Sequence, residues 1–218
     1  MTSHDLTLTG RYIRLEPLGR EHIEALSAAS AALDPAMIDP AIYSWTVVPQ
    51  GIAETTRYVE TALDWCDAGT AIPFAVVRLR DETVIGTTRY WNIERWLWPE
   101  GQTRHGNSFL DVCEIGYTWY TRSAIRTAAN TEGKYLMLQH AFETWQALRV
   151  CLHADSRNLR SQAAMERIGF KREGVLRAHK LAADGVARDS FRYSMVAAEW
   201  PEAKQRLLDR LQDRLQRQ

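Results

Sequence analysis

The stretch that decides the fold is Val112-Cys113-Glu114-Ile115-Gly116-Tyr117-Thr118-Trp119-Tyr120. Its β-branched and aromatic residues favour a pleated, half-buried strand. A loop over residues 121–130 follows, and residues 131–147 carry large apolar side chains at spacings of three, four and three. That period is typical of an amphipathic helix. A second apolar stretch over residues 149–154 completes a strand–helix–strand unit, which predicts a parallel pair joined by a right-handed crossover.

Outside that unit, apolar periodicity and turn residues predict alternating strands and helices. The strands are expected over residues 12–17, 73–79, 83–90, 170–180 and 188–196, and the helices over residues 21–32, 53–66, 158–168 and 199–217. Residues 34–51, with three prolines, are expected to form a loop. The fold class is therefore α/β, a mixed seven-stranded sheet with helices on both faces and with its second, third and fourth strands antiparallel. Residues 1–198 are expected to form one domain, to which residues 199–218 add an amphipathic helix.

Composition limits the class of protein. The chain has 218 residues, 45% of them hydrophobic, which is enough to bury a core in one domain. Its three cysteines, Cys66, Cys113 and Cys151, are far apart, so we expect a reducing compartment and no disulfide framework. No apolar run approaches the roughly 20 residues that span a bilayer, and residues 1–10 lack the features of a signal peptide. A cytoplasmic protein without a membrane segment is therefore expected.

The formal net charge is zero, but the charge is unevenly distributed. In residues 149–218 basic side chains outnumber acidic ones by six, and in residues 1–148 the balance is reversed. The basic part could meet a polyphosphate or RNA, or could simply be the solvated face of helices. Direct nucleic-acid binding is not expected from a chain with zero net charge. The arginines concerned are Arg157, Arg160, Arg167, Arg172 and Arg177.

The loop between the strand at 112–120 and the next helix is a candidate anion site. Unpaired backbone N–H groups and the helix dipole both favour negative charge at a helix N-terminus. A pyrophosphate would fit such a site, although any strand-to-helix loop offers similar donors.

A second candidate lies on the helix expected over residues 158–168. One face of this helix carries Asn158, Ser161, Met165 and Ile168. Ser161 therefore shares a face with residues that should be buried, where a hydroxyl needs a partner. Either Ser161 acts in a site, or Asn158 is the helix N-cap and Ser161 bonds back to a helix carbonyl.

Several segments resemble one family in their order and spacing. They are Arg11–Leu18, Glu114-Ile115-Gly116-Tyr117 with its loop and long helix, Asn158-x-x-Ser161, Gly169-Phe170-x-x-Glu173-Gly174, and Asp184-Gly185 with Arg188-Asp189. Over nearly the whole chain they resemble the RimJ/RimL branch of the GNAT acetyltransferases. The resemblance implies the GNAT fold, with a sheet that splays between its fourth and fifth strands. It also implies acetyl-CoA as cosubstrate and no metal.

The resemblance implies roles for particular residues. The pantetheine arm would lie along Trp119, Tyr120 and Thr121, and Asn158 would bond to it. The pyrophosphate would be held by the loop of Arg126, Thr127, Ala128, Ala129, Asn130 and Thr131. Ser161 would protonate the leaving thiolate, because Met165 stands where many GNAT enzymes have a tyrosine.

The pyrophosphate loop departs from the family's usual Gln/Arg-x-x-Gly-x-Gly/Ala pattern. Ile125 stands at the leading polar position, and Ala128 replaces the central glycine. If the backbone at Ala128 takes a positive φ, the alanine will be strained. Arg126 could compensate as a phosphate partner.

Two residues are candidates for the base that takes a proton from the attacking amine. Glu114 comes first, since alternation along the strand places it on the face of Gly116, Thr118 and Tyr120. An ordinary charge at a strand end is the simpler interpretation of Glu114. His179 comes second and is placed by the resemblance near the acceptor, although a lone histidine there is more often structural. A water could also relay the proton.

Residues 91–108 depart from regular patterning and contain Trp91, Trp96 and Trp98. Long loops of this kind are often functional, so we hypothesise that this loop forms part of the acceptor site. Its deletion should then raise the acceptor KM and leave the affinity for acetyl-CoA unchanged.

The expected function is transfer of an acetyl group from acetyl-CoA to a primary amine by direct attack. Cys113 and Cys151 lie on expected strands, where buried thiols are poor nucleophiles. The acceptor could be a protein N-terminus, a polyamine, an amino acid or an antibiotic amine. The alternative is a non-catalytic acyl-CoA-binding or sensory module on the same fold.

The sequence disfavours two other classes of site and leaves the oligomeric state open. A metal site is disfavoured because Cys151-x-His153 has no second ligand pair. A serine hydrolase is disfavoured because no Gly-x-Ser-x-Gly motif occurs. The C-terminal helix could pack on its own domain or on a second subunit of a homodimer.

Overall fold

The computed structural model describes residues 5–31, 45–107 and 109–215, and its centre is one eight-stranded sheet. The strands are β1 (Leu8–Thr9), β2 (Ile13–Pro17), β3 (Ala71–Arg78), β4 (Thr83–Glu94), β5 (Val112–Tyr120), β6 (Arg149–Asp155), β7 (Lys171–Leu181) and β8 (Ala187–Val196). Their order across the sheet is β1-β2-β3-β4-β5-β6-β8-β7, and only β5 and β6 run parallel. The predicted mixed sheet is confirmed with one strand more than expected. The extra strand, β1, has two residues and is too short to show a period.

The described helices are α1 (Ile23–Ala31), α2 (Gly51–Asp67), α3 (Ala129–Gln139), α4 (Leu159–Arg167) and α5 (Trp200–Leu215). The helix predicted over 131–147 is thus present as α3, but a π-helical turn over His140–Thr144 continues it. Most of the loop predicted over 34–51 lies outside the described residues. None of the described helices is long and apolar enough to span a membrane.

Helices cover both faces of the sheet, as predicted. On one face Phe74, Tyr90 and Ile115 pack with Met137 of α3 and Leu207 of α5 in the main core. On the other face a smaller cluster joins α1 and α2 to the sheet through Leu26, Val59, Ala62, Ala75 and Trp119. The two faces therefore have separate cores, and β3, β4 and β5 lie between them.

The C-terminal helix α5 packs against the π-helical turn that follows α3. The Trp200 ring stacks on Phe142 with centroids 5.7 Å apart, and its Nε1–H donates to Glu143 at 2.7 Å. Lys204 forms an ion pair with the same carboxylate at 2.8 Å. Leu207, on the apolar face of this helix, is fully buried.

A bulge in β5 changes which side chains share a face. Tyr117 has a φ of +52°, and Tyr117 and Thr118 together lie opposite the single residue Thr88 of β4. The Tyr117 ring contacts α2, whereas the Thr118 hydroxyl accepts a hydrogen bond from Lys134 of α3. The prediction that Glu114 shares a face with Thr118 and Tyr120 is therefore wrong, because the inserted residue reverses the alternation after Gly116.

The parallel strands β5 and β6 pair over three residues and then separate. Val112, Cys113 and Glu114 lie opposite Arg149, Val150 and Cys151, and no pairing follows. The predicted splay between the two central strands is thus confirmed, although β1 makes them the fifth and sixth in chain order. The separation opens the sheet from Glu114 onward.

Candidate functional site

A cleft of about 880 Å³ lies where β5 and β6 separate. It is bordered by β5, by the loop into α3, by α4 and by the ends of β6 and β7. Of the residues predicted for the site, Glu114, Trp119, Tyr120, Arg126, Thr127, Asn130, Thr131, Asn158 and Ser161 line it. The others, Thr121, Ala128, Ala129 and His179, are not among its lining residues. Most of the predicted site is therefore brought together in one place.

The loop into α3 is unstrained at Ala128. This alanine is fully buried, with φ −71° and ψ −19°, which is ordinary helical backbone. The left-handed position is Arg126 instead, with φ +64°. The strain that a positive φ at Ala128 would have caused is thus absent, and the glycine of the family pattern is not required there.

The first turn of α3 has the donors that an anion needs. The Ala129 N–H is directed to Thr127 Oγ1 at 3.3 Å, and the Glu132 N–H donates to the Ala128 carbonyl at 2.9 Å. Asn130 and Thr131 line the cleft, and within the described residues their N–H groups have no hydrogen-bond partner. Both N–H groups lie at the positive end of the helix dipole, so this end of the cleft favours a negative charge.

Arginines from four elements border the cleft. They are Arg126 of the loop into α3, Arg160 and Arg167 of α4, Arg188 of β8 and Arg210 of α5. Arg157 differs, since its guanidinium is held by Asp155 at 2.8 Å and Asp184 at 2.7 Å. Of the basic residues noted in the sequence, Arg160 and Arg167 therefore line the cleft, whereas Arg157 forms ion pairs within the fold.

Asn158 and Ser161 meet at the start of α4. Asn158 Oδ1 accepts the Ser161 N–H at 3.0 Å, so Asn158 is the N-cap of this helix. The Ser161 hydroxyl makes no hydrogen bond to any residue of the described ranges, so it does not bond back to a helix carbonyl. Both side chains line the cleft, which leaves the Ser161 hydroxyl available to a ligand.

Glu114 lies next to a histidine that the sequence did not single out as a base. Glu114 is 4% exposed, and its Oε1 lies 2.7 Å from Nδ1 of His153, in contact without the alignment of a hydrogen bond. Its Oε2 accepts from the Asn92 side chain at 3.2 Å. The register of the parallel pair, Glu114 opposite Cys151, puts His153 on the same face one step along β6.

His179 lies behind this pair. Its ring centroid is 5.0 Å from that of His153. Burial, followed by the charges of His153 and Lys180, lowers the pKa of His179. His179 is not among the residues that line the cleft, and its ring lies against that of His153, which does line it.

Lys134 was missed by the sequence reasoning and lines the cleft from α3. It is half-buried, its Nζ donates to Thr118 Oγ1 at 3.3 Å, and burial lowers its pKa to about 8. The available signal was its helical spacing to Met137 and Leu138, which places it on the buried face of α3.

The tryptophans of residues 91–108 fall in two places. Trp91 belongs to β4 and lines the cleft. The Trp96 N–H and the Trp98 Nε1–H donate to the Asp111 carboxylate at 2.7 and 2.9 Å, before the start of β5. Trp96 and Trp98 are not among the lining residues. Of these three tryptophans, only Trp91 therefore keeps a predicted role in binding the acceptor.

The three cysteines are buried and form no disulfide within the described ranges. Burial raises the pKa of the Cys113 thiol well above its usual range. Within the described ranges, no group of three or more His, Cys, Asp or Glu residues could hold a metal ion.

Known proteins share this architecture. The Acetyltransferase (GNAT) domain family matches residues 13–171. Among solved structures, a GCN5-related N-acetyltransferase from Brucella melitensis is 28% identical, with a TM-score of 0.74 over 97% of this chain and 87% of that one. RimJ from Mycobacterium smegmatis, in complex with CoA-disulfide, is 19% identical, with a TM-score of 0.73 over 95% of each chain.

A third solved structure extends the comparison. The microcin C7 self-immunity acetyltransferase MccE, in complex with acetyl-CoA and AMP, is 19% identical, with a TM-score of 0.64 over 86% of this chain and 93% of that one. Among curated proteins, none matches the chain. The family match spans well over half of the sequence, and the fold agrees with it throughout. The chain belongs to the GNAT acetyltransferase family.

Proposed function

We propose that the protein is an N-acetyltransferase that moves an acetyl group from acetyl-CoA to a primary amine by direct attack. The observation that carries this proposal is the cleft at the β5–β6 splay, which joins a helix N-terminus with unpaired donors to a buried carboxylate–imidazole pair. The first feature suits a pyrophosphate, and the second suits proton removal from an amine.

The residues present fit coenzyme A. The N–H groups of Asn130 and Thr131 and the arginines bordering the cleft would hold its phosphates. The cleft runs along Trp119 and Tyr120, where the pantetheine arm would lie, and Asn158 keeps an amide NH₂ to donate to it. The RimJ and MccE structures contain coenzyme A derivatives on the same fold, which supports this placement.

The Glu114–His153 pair would accept the amine proton. A base within a buried cluster is poised to take a proton when a substrate reaches it, and the carboxylate stabilises the imidazolium that results. His179 would act behind His153 as a positioning residue. The pair lies on the α2 face of β5, so the acceptor would approach from that face.

The bulge of β5 would stabilise the negative charge that develops on the oxygen of the thioester carbonyl. Its extra residue interrupts the ladder between β4 and β5 at Tyr117 and Thr118. Backbone N–H groups released from a ladder can stabilise the charge that develops on a carbonyl oxygen. We therefore assign the oxyanion contact to the backbone of these two residues.

Bond making and proton transfer then balance in one step. The acetyl group arrives as a thioester, so the amine nitrogen forms a bond to the carbonyl carbon and the carbon–sulfur bond breaks. The amine proton goes to the Glu114–His153 pair, which releases it to solvent, and the Ser161 hydroxyl gives a proton to the leaving thiolate and regains one from water. The cysteines take no part, because none of the three is among the residues that line the cleft.

The motifs of the sequence resemble those of the RimJ/RimL branch, and a protein N-terminus or a small amine would be the acceptor. The structural likeness to RimJ, at 19% identity, supports the fold and leaves the acceptor to experiment. Buried free cysteines are typical of a reducing compartment, which favours the cytoplasm.

Calorimetric titration with acetyl-CoA, followed by release of free thiol in the presence of a panel of amines, tests the proposal. We expect micromolar binding and amine-dependent thiol release. Ser161→Ala should keep the binding and lower the turnover. Binding without turnover for any amine would favour the sensory module, and no binding at millimolar coenzyme would reject the enzyme.

A further inference from the structure

The acceptor end of the cleft contains two basic side chains that form no ion pair within the described residues. Lys180 and Arg188 line it beside Trp91 and Tyr117. The Lys180 Nζ lies 3.6 Å from the centroid of the Trp91 ring and 5.8 Å from that of Tyr117. Arg188 has its Nε buried without a hydrogen-bond partner. Neither side chain forms an ion pair with any residue that the structure describes.

A third cation lies directly behind these rings. Arg89 is 2% exposed, and its Cζ lies 4.3 Å from the Tyr117 ring, 4.9 Å from the Tyr58 ring and 5.3 Å from the Trp65 ring. Its Nε and Nη2 are buried and find no hydrogen-bond partner within the described ranges. A buried guanidinium without a carboxylate is unusual, because burying an unpaired charge is costly.

The charges in this part of the cleft affect the pKa values of Lys180 and Tyr117. Burial lowers the pKa of Lys180, the charge of Glu114 raises it, and the charge of Arg188 lowers it. Burial also raises the pKa of Tyr117, with Arg89 and Arg188 acting in the opposite direction and Glu114 in the same one. Arg89, Lys180 and Arg188 therefore all lie near Tyr117.

The carboxylates nearby are already engaged. Among the described residues, the carboxylates that line the cleft are Glu114 and Asp155. Glu114 contacts His153, and Asp155 holds Arg157. The phosphates of the coenzyme would bind near the start of α3, whereas Tyr117 faces α2 across the sheet. The excess positive charge at this end is thus left for the other substrate.

We propose that the acceptor amine belongs to a small molecule or peptide that also carries an anionic group, a carboxylate or a phosphate, which Lys180 and Arg188 bind beside Trp91 and Tyr117. This inference rests on the proposed transfer to an amine and names the class of amine. Arg89 adds a fixed positive charge beneath the rings, where low local polarity strengthens its effect.

Matched acceptor pairs test the inference. The first pair is Ala-Glu-amide and Ala-Gln-amide, which share one N-terminal amine and differ in one carboxylate. The second pair is ethanolamine phosphate and ethanolamine, and spermidine serves as a polycationic acceptor. We expect kcat/KM to be at least about tenfold higher for the anionic member of one or both pairs. The pair that shows the preference distinguishes carboxylate from phosphate.

Variants connect the preference to the residues. Lys180→Gln and Arg188→Gln should each lower the ratio of anionic to neutral kcat/KM to below about threefold, since one charge is lost. Arg177→Gln is the matched control, because Arg177 is exposed on the same strand as Lys180 and does not line the cleft. It should retain the ratio of the unchanged protein. Acetyl-CoA titration of each variant shows that the fold is intact.

Three results would overturn the inference while the acetyltransferase stands. They are equal kcat/KM within both pairs, a faster reaction with spermidine than with either anionic amine, and a preference unchanged in both cleft variants. Absence of thiol release with every amine would instead reject the proposed function, and the inference with it.

Discussion

Glu114 is the residue on which the proposed chemistry depends most. Its carboxylate is buried, in contact with His153, and lines the cleft. Glu114→Gln keeps the size of the side chain and removes its ability to accept a proton. We expect kcat to fall by about 10²–10⁴ while the affinity for acetyl-CoA changes little. Steady-state thiol release and calorimetry measure the two quantities.

The control for this prediction is Glu94→Gln, an exposed carboxylate at the end of β4 that is bonded to Trp96. It should leave kcat within about twofold, as expected of a surface change. If Glu114→Gln behaves like Glu94→Gln, then the base is elsewhere and the pair has only a structural role.

Lys134 makes stability depend on pH. Burial lowers its pKa to about 8, while an unfolded lysine titrates near 10.5. Below pH 8 the lysine is charged in both states and burial destabilises the native one. Between pH 8 and about 10.5 the unfolded state binds more protons, so the stability contributed by this group rises with pH. The destabilisation is therefore largest at neutral pH.

Lys134→Met should remove that destabilisation. We expect it to raise the free energy of unfolding at pH 7 by about 1–3 kcal/mol, with a smaller gain as the pH approaches 10. The lower part of that range is expected, because the side chain still touches water. Urea unfolding at pH 7 and 9.5 measures the difference. Lys204→Met, which loses the ion pair with Glu143, should show no gain, and an equal gain in both variants would contradict the explanation.

The buried, unpaired charge of Arg89 is expected to lower the stability of the folded protein at the acceptor end of the cleft. Three aromatic rings around a desolvated cation contribute about 2 kcal/mol or more, but burying an ion without a partner costs several kcal/mol. Arg89→Met should therefore be at least as stable as the unchanged protein, with an equal or higher Tm in calorimetry. A drop of more than about 1 kcal/mol would show that the rings outweigh the desolvation.

At the scale of the elements, Gly86 sets how closely β4 approaches β5. It has a φ of +152°, and an added Cβ would lie 2.0 Å from the Trp119 carbonyl oxygen. Gly86→Ala should separate the strands next to the cleft and destabilise the fold by about 2–4 kcal/mol. Gly174→Ala is the control, since a Cβ there meets nothing within 4 Å, and it should change stability by less than about 0.5 kcal/mol. Chemical denaturation compares the two, and equal effects would contradict the role of strand contact.

The order of elements along the chain was predictable, because each strand and helix has its own period and end signals. The cap at Asn158 and the buried face of α4 were also readable from sequence, since they depend on residues within one helix. The bulge at Tyr117 was not, because it depends on how β4 and β5 pair rather than on either strand alone. That bulge decides which side chains face α2 and which face α3.

At the scale of the whole molecule, α5 contributes residues both to the core and to the lining of the cleft. It buries Trp200 and Leu207, and it contributes Arg210 to the cleft lining. Trp200→Ala should lower the free energy of unfolding by about 3–5 kcal/mol, because the stack on Phe142 and the surrounding core contacts are lost. Unfolding should remain a single transition if helix and sheet form one cooperative unit.

Ligand linkage provides a second measurement on this variant. Acetyl-CoA at one hundred times its Kd should restore about 2.7 kcal/mol, provided that the site survives. Trp96→Ala, in which the replaced ring is 49% exposed, should lower stability by about 1 kcal/mol or less. Two separate transitions in Trp200→Ala would show that α5 folds independently of the sheet.

The sequence by itself determined the fold class and the positions of Asn158, Ser161 and Glu114 along the chain. These features follow from local periodicity, capping and the order of elements, which need no knowledge of distant contacts, whereas the splay beyond the central strand was expected only from the resemblance to a family. Only the tertiary structure placed His153 against Glu114 and gathered Arg89, Lys180 and Arg188 around Tyr117. Those residues come from five strands, and strand register, which no single segment specifies, brings them together.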